Sequence, residues 1–396
     1  MSGLAGPSGA SWRERAGLTP GALAAIATIV AVGVAVGLLP PLLSLTLTGR
    51  GVSERTVGVL VAVIALAALA VTPFASRIAA RFGTAPTIAA ATLVMAALVP
   101  GAWLIESLPL LFPLVFLYGG ATSLCFTLSE YWINAATPDH RRGLVMGIYA
   151  TLLSVGFAIG PALIALLGAD SVAPFLVGSA VLAAASVPAL AARGLSPDFR
   201  EAPRTRFSAF ILAVPVATIG AFVFAMAEGG GFAFLPVWGQ HLGFERNLAP
   251  LLASAMTLGN VVFQIPLGML ADRVDRRAVL FALGVAGSAG MALAWAVSGS
   301  PMLLLAVLFL WGGATAGIYT VGLAHLAGRF RAGELAGANA AFVFCYALGM
   351  LVGPLLLGDA IARSPEAGFP LVLGTGFLLY AGLVGLRMRR SRTAGP

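Results

Sequence analysis

Two acidic residues, Glu130 and Glu228, lie within long apolar segments of the sequence, where a charged side chain is costly. A charge at the centre of a membrane-spanning helix costs at least about 2.5 kcal/mol. Carboxylates that persist at such positions pair with other groups, bind cations or carry protons. Both residues are therefore candidates for binding a cationic group or a proton.

Glu130 belongs to a polar stripe in an otherwise apolar segment. The stripe has spacings of four, three and four residues, which place its members on one face of a helix. Two interpretations stay open: Glu130 binds a cationic group or a proton, or it forms an ion pair with one of the nearby residues Arg77, Arg81, Arg141 and Arg142. The stripe consists of Ser123, Thr127, Glu130 and Asn134.

Glu228 stands directly before three consecutive glycines, Gly229, Gly230 and Gly231. Each glycine lowers the stability of a helix by about 1 kcal/mol relative to alanine, so the pattern predicts a break or bend. Such a break is tolerated in a membrane only where the backbone lines a cavity or packs against protein. We expect a hinge with a carboxylate beside an aqueous path; the alternative is close helix packing through small residues.

Other polar or aromatic residues occur singly near the middle of apolar segments. Each alone is more often a packing or inter-helix hydrogen-bonding residue than a ligand contact. They are Asn260, Gln264, Tyr319 and Tyr346.

Several kinds of chemistry are not expected. The two cysteines and three histidines are scattered, so we expect no metal site and no cofactor. The chain has no nucleotide-binding loop of the G-x-x-x-x-G-K-[ST] type, and no lysine at all. It has no evident pairing of a nucleophile with a base, so we do not expect an enzyme.

The composition predicts the elements that must hold these residues. Of the 396 residues, 59% are hydrophobic and 10% are charged, whereas soluble domains carry roughly 25% charged residues. Apolar runs of about 20 residues without two-residue alternation are typical of membrane-spanning helices. Twelve such runs lie near 20–47, 55–75, 86–105, 109–136, 143–167, 173–192, 208–238, 249–270, 278–298, 302–327, 336–358 and 367–386.

The arginines predict the orientation. Nearly all of them fall in segments on the side of the chain termini, and only Arg50, Arg55, Arg246 and Arg363 fall on the other. Positive residues favour the cytoplasmic side, so both termini should be cytoplasmic. The net charge of +8 is spread over the ends of the spans rather than gathered on one face, which argues against nucleic-acid binding.

The two carboxylates should lie at different depths. At 1.5 Å per helical residue, Glu130 is expected about 10 Å to the cytoplasmic side of the midplane and Glu228 about 7 Å to the other side. We therefore expect no direct hydrogen bond between their carboxyl groups.

The chain repeats itself with a shift of 193 residues. The segment 116–122 (FLYGGAT) recurs at 309–315 (FLWGGAT), and Gly156, Gly160 and Pro161 recur as Gly349, Gly353 and Pro354. The repeat predicts an all-α membrane protein of twelve transmembrane helices in two parallel six-helix halves. The expected divisions are a tail at 1–19, bundles at 20–192 and 208–386 joined by a linker at 193–207, and a second tail at 387–396.

Parallel six-helix repeats resemble the major facilitator superfamily, and a loop motif supports the resemblance. Members carry G-x-x-x-D-R-x-G-R-R between the second and third helices. The second half has this motif with Asp275 in place of a glycine, and the first half keeps only Arg81 and Gly83. The matching residues are Gly268, Asp272, Arg273, Arg276 and Arg277.

Two narrower resemblances concern the first half. Gly147, Gly156, Gly160 and Pro161 resemble the G-x8-G-x3-G-P motif of drug/proton antiporters, although recurrence in the second half favours a packing role. The segment 130–134 (EYWIN) resembles the E-S-W-L-N signature of a bacterial branch that includes the YcaD-like transporters. Val115 stands where proton-linked members often carry an arginine, which argues against proton coupling by that route.

The resemblance implies a secondary transporter that works by rocking of its halves, with the Glu130 stripe facing the substrate. We expect proton-coupled efflux of a neutral or cationic, fairly apolar compound. The alternatives are uptake or facilitated diffusion of a small neutral metabolite, or a membrane scaffold or sensor that does not transport. The expected partners are a small molecule, protons and membrane lipid, for a monomer in the bacterial plasma (inner) membrane.

The loop motif generates a prediction about gating. The resemblance implies that Asp272 engages the start of the fifth helix, between Arg142 and Leu144, where the helix dipole adds about 0.3–1 kcal/mol. The first copy has Ala80 and cannot form the equivalent latch. Asp272→Asn should therefore raise the inward-open population, and Ala80→Asp should lower it. Spin-label distances between the cytoplasmic ends of the halves measure this, and unchanged distances in both variants would contradict the latch.

Overall fold

The computed structural model of the chain describes residues 18–138, 141–197, 208–330 and 332–393. Most of the predicted tail at 1–19 and of the predicted linker at 193–207 lies outside these residues. Within the described ranges all regular secondary structure is helical. Twelve of the described helices are long and apolar enough to cross a membrane, as the sequence predicts.

Each half contributes six long helices. The first half contains α1 (Pro20–Gly49), α2 (Glu54–Val71), α3 (Thr84–Leu104), α4 (Leu108–Ala136), α5 (Arg142–Leu167) and α6 (Ala173–Ala191). The second contains α7 (Pro215–His241), α8 (Leu251–Arg273), α9 (Arg276–Ala296), α10 (Pro301–Ala327), α11 (Ala332–Arg363) and α12 (Gly368–Thr393). A 3-10 turn (Thr72–Phe74) carries α2 on into a short helix (Ala75–Phe82), and another short helix (Ser208–Ala213) precedes α7.

The last helix continues into the segment predicted as a cytoplasmic tail. This segment, at 387–396, is helical as far as Thr393. It contains no glycine or proline before Thr393, and its arginine and methionine residues favour helix. Cationic side chains also interact favourably with the carboxyl end of a helix, so α12 continues past its apolar span.

The two halves pack in the same way. α1 packs against α5 as α7 packs against α11, α2 against α4 as α8 against α10, and α3 against α6 as α9 against α12. Between the halves α2 contacts α11, α5 contacts α8, and α1 contacts α7. The six-plus-six architecture predicted from the internal repeat is therefore confirmed, and the surface between the halves is formed mainly by α1, α2, α5, α7, α8 and α11.

Glycines let the paired helices approach closely. Gly156 and Gly160 of α5 lie against the backbone of α1, and Gly349 and Gly353 of α11 lie against the backbone of α7. A Cβ atom at Gly353 would come within 3.0 Å of the Met226 Cα. Small residues at four-residue spacing allow such contact in membranes, where packing rather than the hydrophobic effect holds helices together. The packing role of the two Gly-Pro motifs follows directly.

The predicted break at the three consecutive glycines is wrong. α7 is a continuous helix from Pro215 to His241, and all three glycines are buried. Gly229 lies against Met350, Gly230 against Gly353, and Gly231 against Met256. Tight packing on α11 and α8 offsets the low helix propensity of the glycines, so the alternative interpretation of close packing holds.

The glycine contacts predict opposite effects for substitutions at Gly353 and Gly147. Gly353→Ala should destabilise the protein by about 1–3 kcal/mol, because overpacking forces backbones apart. Gly147→Ala is the matched control, since a Cβ there meets nothing within 4 Å and gains about 1 kcal/mol of helix propensity. Thermal unfolding in detergent should show a lower Tm for the first variant and an equal or higher Tm for the second. Equal shifts would contradict the packing account.

Candidate functional site

The two ends of the bundle differ in how the halves meet. We call the end that holds the start of α1 and the end of α12 the inner end, since the arginine pattern predicts that it is cytoplasmic. The opposite end holds the turn between α1 and α2 and the turn between α7 and α8. We call it the outer end.

Ion pairs join the halves at the outer end. The Glu54 carboxylate at the start of α2 lies 3.1 Å from the His241 ring at the end of α7. Its neighbour Arg55 lies 2.6 Å from Asp359 of α11. Partly exposed pairs of this kind contribute about 0–1 kcal/mol each, so they hold the outer end without locking it.

Arg246, in the turn between α7 and α8, adds a further contact between the halves. Its guanidinium lies 2.7 Å from the Asp170 carboxylate and donates a hydrogen bond of 2.8 Å to the Leu45 carbonyl. The Ala169 N–H donates to the neighbouring Asn247 at 3.2 Å. The turn between α7 and α8 thus contacts both α1 and the loop between α5 and α6 in the first half. Sequence reasoning missed this contact, because Arg246 and Leu45 are 201 residues apart.

An aromatic layer closes the path below the ion pairs. The rings of Phe157 (α5) and Phe232 (α7) have centroids 5.8 Å apart, and Phe126 of α4 stacks on Phe157 at 6.3 Å. The Ser254 hydroxyl of α8 donates to the Ala158 carbonyl of α5 at 3.0 Å. The halves are therefore in direct contact from this layer to the outer end.

At the inner end, three hydrogen bonds connect elements of the same half. Thr19 donates to the Ala136 carbonyl, Thr84 donates to the Pro197 carbonyl, and Arg276 donates to the Ala324 carbonyl. Together with the contacts that join the halves at the outer end, these bonds favour an inward-facing arrangement.

Glu130 faces the space between the halves. Its carboxylate accepts a hydrogen bond of 2.8 Å from the Tyr149 hydroxyl of α5, and it lies within electrostatic range of Tyr319 in the opposite half. The residue is exposed although it lies within a span. A side chain that is exposed and yet close to both halves lines the opening between them rather than the lipid-facing surface.

The rest of the predicted stripe surrounds this position. Ser123 shares a hydrogen bond of 2.6 Å with Thr72, Thr127 is half-buried, and the Asn134 amide donates to the Glu130 carbonyl at 2.9 Å. The open alternative of an ion pair with arginine is not what the structure shows, because no salt bridge among the described residues involves Glu130. Tyr149 is its partner instead.

Glu228 lies deeper, in a small cleft of the second half. Its carboxylate accepts a hydrogen bond of 2.5 Å from the Tyr346 hydroxyl of α11. The cleft is formed by α7, α8 and α10 and combines aromatic, apolar and polar side chains. Its lining includes Phe224, Glu228, Phe232, Met256, Thr257, Asn260 and Thr315.

Tyr319 of α10 packs beside the partner of Glu228. Its ring centroid is 5.7 Å from that of Tyr346. Each carboxylate has its own tyrosine partner, and the hydrogen bonds described include none between Glu130 and Glu228. Of the remaining sequence candidates, Asn260 lines the cleft, whereas Gln264, one turn further along α8, is half-buried outside its lining.

In the loop motif between α8 and α9, the structure gives a reason for Asp275 in place of the usual glycine. Asp275 caps α9 by accepting hydrogen bonds from the N–H groups of Arg277 at 2.7 Å and Ala278 at 3.1 Å. A glycine could not supply this cap. In the first-half copy Gly83 adopts φ +86°, a left-handed conformation that favours glycine, and Arg81 lies over the Phe82 ring at 5.5 Å.

Three further residues of the second-half loop motif have contacts within their own half. Asp272 lies 3.7 Å from Arg276, four residues further along the chain. Arg273 ends α8, and Gly268, further back in the same helix, approaches Thr320 of α10. The latch predicted for Asp272 would form when the inner end is closed, and it stays a prediction.

The fold is similar to solved transporter structures. The chain superimposes on the crystal structure of the nucleoside transporter NupG with a TM-score of 0.77 at 15% identity, covering 93% of this chain and 99% of the other. A D-xylose–proton symporter gives a TM-score of 0.69 at 16% identity, covering 92% and 96%. At these identities the likeness shows the fold alone.

Relatives found by sequence are also transporters by name. The chain is 24% identical over 336 residues to the uncharacterized MFS-type transporter YfkF of Bacillus subtilis (strain 168), covering 82% of this chain and 85% of the relative. It is 23% identical over 247 residues to YcaD of Escherichia fergusonii, covering 60% and 62%. The family model matches residues 22–245 and again 217–395. The match of the family model to both halves of this twelve-helix fold shows that this integral membrane transporter belongs to the Major Facilitator Superfamily.

Proposed function

We propose that the chain exports a neutral or cationic, fairly apolar compound in exchange for protons. The halves rock about the site that contains Glu130 and Glu228, and the inward-facing arrangement is the state that receives substrate. In this proposal the protein works as a monomer in the bacterial inner membrane, with both termini cytoplasmic.

The observation that carries the proposal is the pairing of each carboxylate with a tyrosine hydroxyl, Tyr149 for Glu130 and Tyr346 for Glu228. A hydroxyl can donate to a carboxylate and can accept from a carboxylic acid, so the pair survives both gain and loss of a proton. An arginine partner would fix the carboxylate in its charged form. The two residues are therefore suited to exchanging protons or cations.

The cleft around Glu228 supports the choice of substrate. Among the described residues that line it, Glu228 is the charged one, and Phe224, Phe232 and Met256 supply aromatic and apolar surface. A carboxylate within an apolar wall favours a cation with hydrocarbon substituents and disfavours an anion.

A second candidate function also has support in the cleft. Thr257, Asn260 and Thr315 present hydroxyl and amide groups beside Glu228, and such groups bind the hydroxyls of small polar molecules. Uptake or facilitated diffusion of a small neutral metabolite would use them. A scaffold or sensor that does not transport has less support, because the contacts between the halves differ at the two ends of the bundle.

Everted membrane vesicles with a respiration-generated proton gradient test the proposal. Addition of tetraphenylphosphonium or ethidium should release protons from vesicles that contain the wild type and the control Glu334→Gln, an exposed residue near the inner end. It should not do so with the double variant Glu130→Gln, Glu228→Gln. Counterflow without proton movement in the wild type would support a facilitator instead, and the absence of both would support the scaffold.

A further inference from the structure

The internal duplication does not extend to the carboxylates. At the glycine motifs Val34 of α1 occupies the place of Met226 of α7, so Glu228 corresponds to Val36. With the shift of 193 residues, Glu130 corresponds to Leu323. Each half has therefore placed its acidic residue on a helix where the other half has an apolar one.

The hydroxyl partners are equally asymmetric. Tyr149 corresponds to Phe342, and Tyr346 corresponds to Leu153. The two carboxylate–tyrosine pairs thus arose at unrelated positions and are not duplicates of one site. Their surroundings show two different kinds of chemistry.

Glu228 lies beside an aromatic cluster. The ring centroids of Phe224 and Tyr319 are 5.3 Å apart, those of Phe224 and Tyr346 are 6.2 Å apart, and those of Tyr319 and Tyr346 are 5.7 Å apart. Aromatic faces attract cations within about 6 Å, most strongly when water is excluded. A carboxylate beside three aromatic rings has the chemistry to attract the charged centre of an apolar organic cation.

Glu130 has the surroundings of a proton-exchange site. It is exposed in the opening towards the inner end, and its neighbours on the polar stripe are Thr127 and Asn134. Water that enters this opening can deliver a proton directly to the carboxylate or remove one from it. A hydrated group of this kind has little preference for a bulky apolar cation.

We propose that the two carboxylates divide the work: the Glu228 cleft binds the charged centre of an apolar organic cation, and Glu130 carries the coupling proton. This division rests on the proposed proton-coupled transport and refines it. In this scheme a cation enters the Glu228 cleft and a proton leaves Glu130, so one positive charge is exchanged for another.

Equilibrium binding separates the two roles. Purified protein in lipid nanodiscs should bind radiolabelled tetraphenylphosphonium, with excess unlabelled probe correcting for partition into lipid. Glu228→Gln should weaken binding at least tenfold, and Glu228→Asp should restore part of it. Phe224→Leu should weaken binding about twofold to fivefold, the range for one cation–π contact. Glu130→Gln and the control Glu334→Gln should stay within twofold of the wild type.

A matched pair of ligands tests the requirement for charge. Phenyltrimethylammonium and its neutral isostere tert-butylbenzene have nearly the same shape. Only the first should displace tetraphenylphosphonium from the wild type. Displacement by both ligands would show that the cleft recognises apolar shape alone and would overturn the cation site.

Transport by proteoliposomes completes the test. Glu130→Gln should lose gradient-driven accumulation of tetraphenylphosphonium but keep counterflow, and Glu228→Gln should lose both. Unchanged binding in Glu228→Gln, loss of binding in Glu130→Gln, or a wild type that binds no tetraphenylphosphonium would overturn the division. Intact binding in a wild type that moves no protons would refute the proposed function but leave the cation site standing.

Discussion

The cost of holding a charge within hydrocarbon governs the arrangement of this protein. The ion pairs described lie at the ends of spans, as with Arg246 and Asp170 or Asp272 and Arg276. Glu130 and Glu228 instead lie within spans, and each accepts a hydrogen bond from a tyrosine hydroxyl of a neighbouring helix. A charge kept deep in a span at such a cost marks the place where substrate or protons pass.

The lipid environment also explains how the helices are held together. Lipid gives little hydrophobic drive for helices to associate, so the chain relies on close backbone contact at Gly160 against α1 and at Gly353 against α7. These contacts make each half a rigid unit. The contacts between halves at the outer end are small and partly exposed. Partly exposed pairs are worth about 0–1 kcal/mol each, so their sum is comparable to the few kcal/mol that separate interconverting conformations.

The sequence predicts the fold well, because composition, arginine placement and internal repetition each report on it independently. It predicts the site only in part. Glu130 and Glu228 stand out by their chemistry, but their partners are 19 and 118 residues away and no local pattern marks Tyr149. The expected break at Gly229–Gly231 was wrong because helix propensity is a local quantity, whereas those glycines are held by contacts with Met350, Gly353 and Met256.

Accessibility of the path from each side of the membrane tests the central claim, that the site is closed at the outer end and open at the inner end. With Cys125 and Cys345 replaced by alanine, Thr127→Cys provides one thiol on the polar stripe. A membrane-impermeant maleimide should label it in everted vesicles and not in right-side-out vesicles, and adding Arg246→Gln should increase labelling from outside. Equal labelling from both sides before that change, or none from the inner side, would contradict the account.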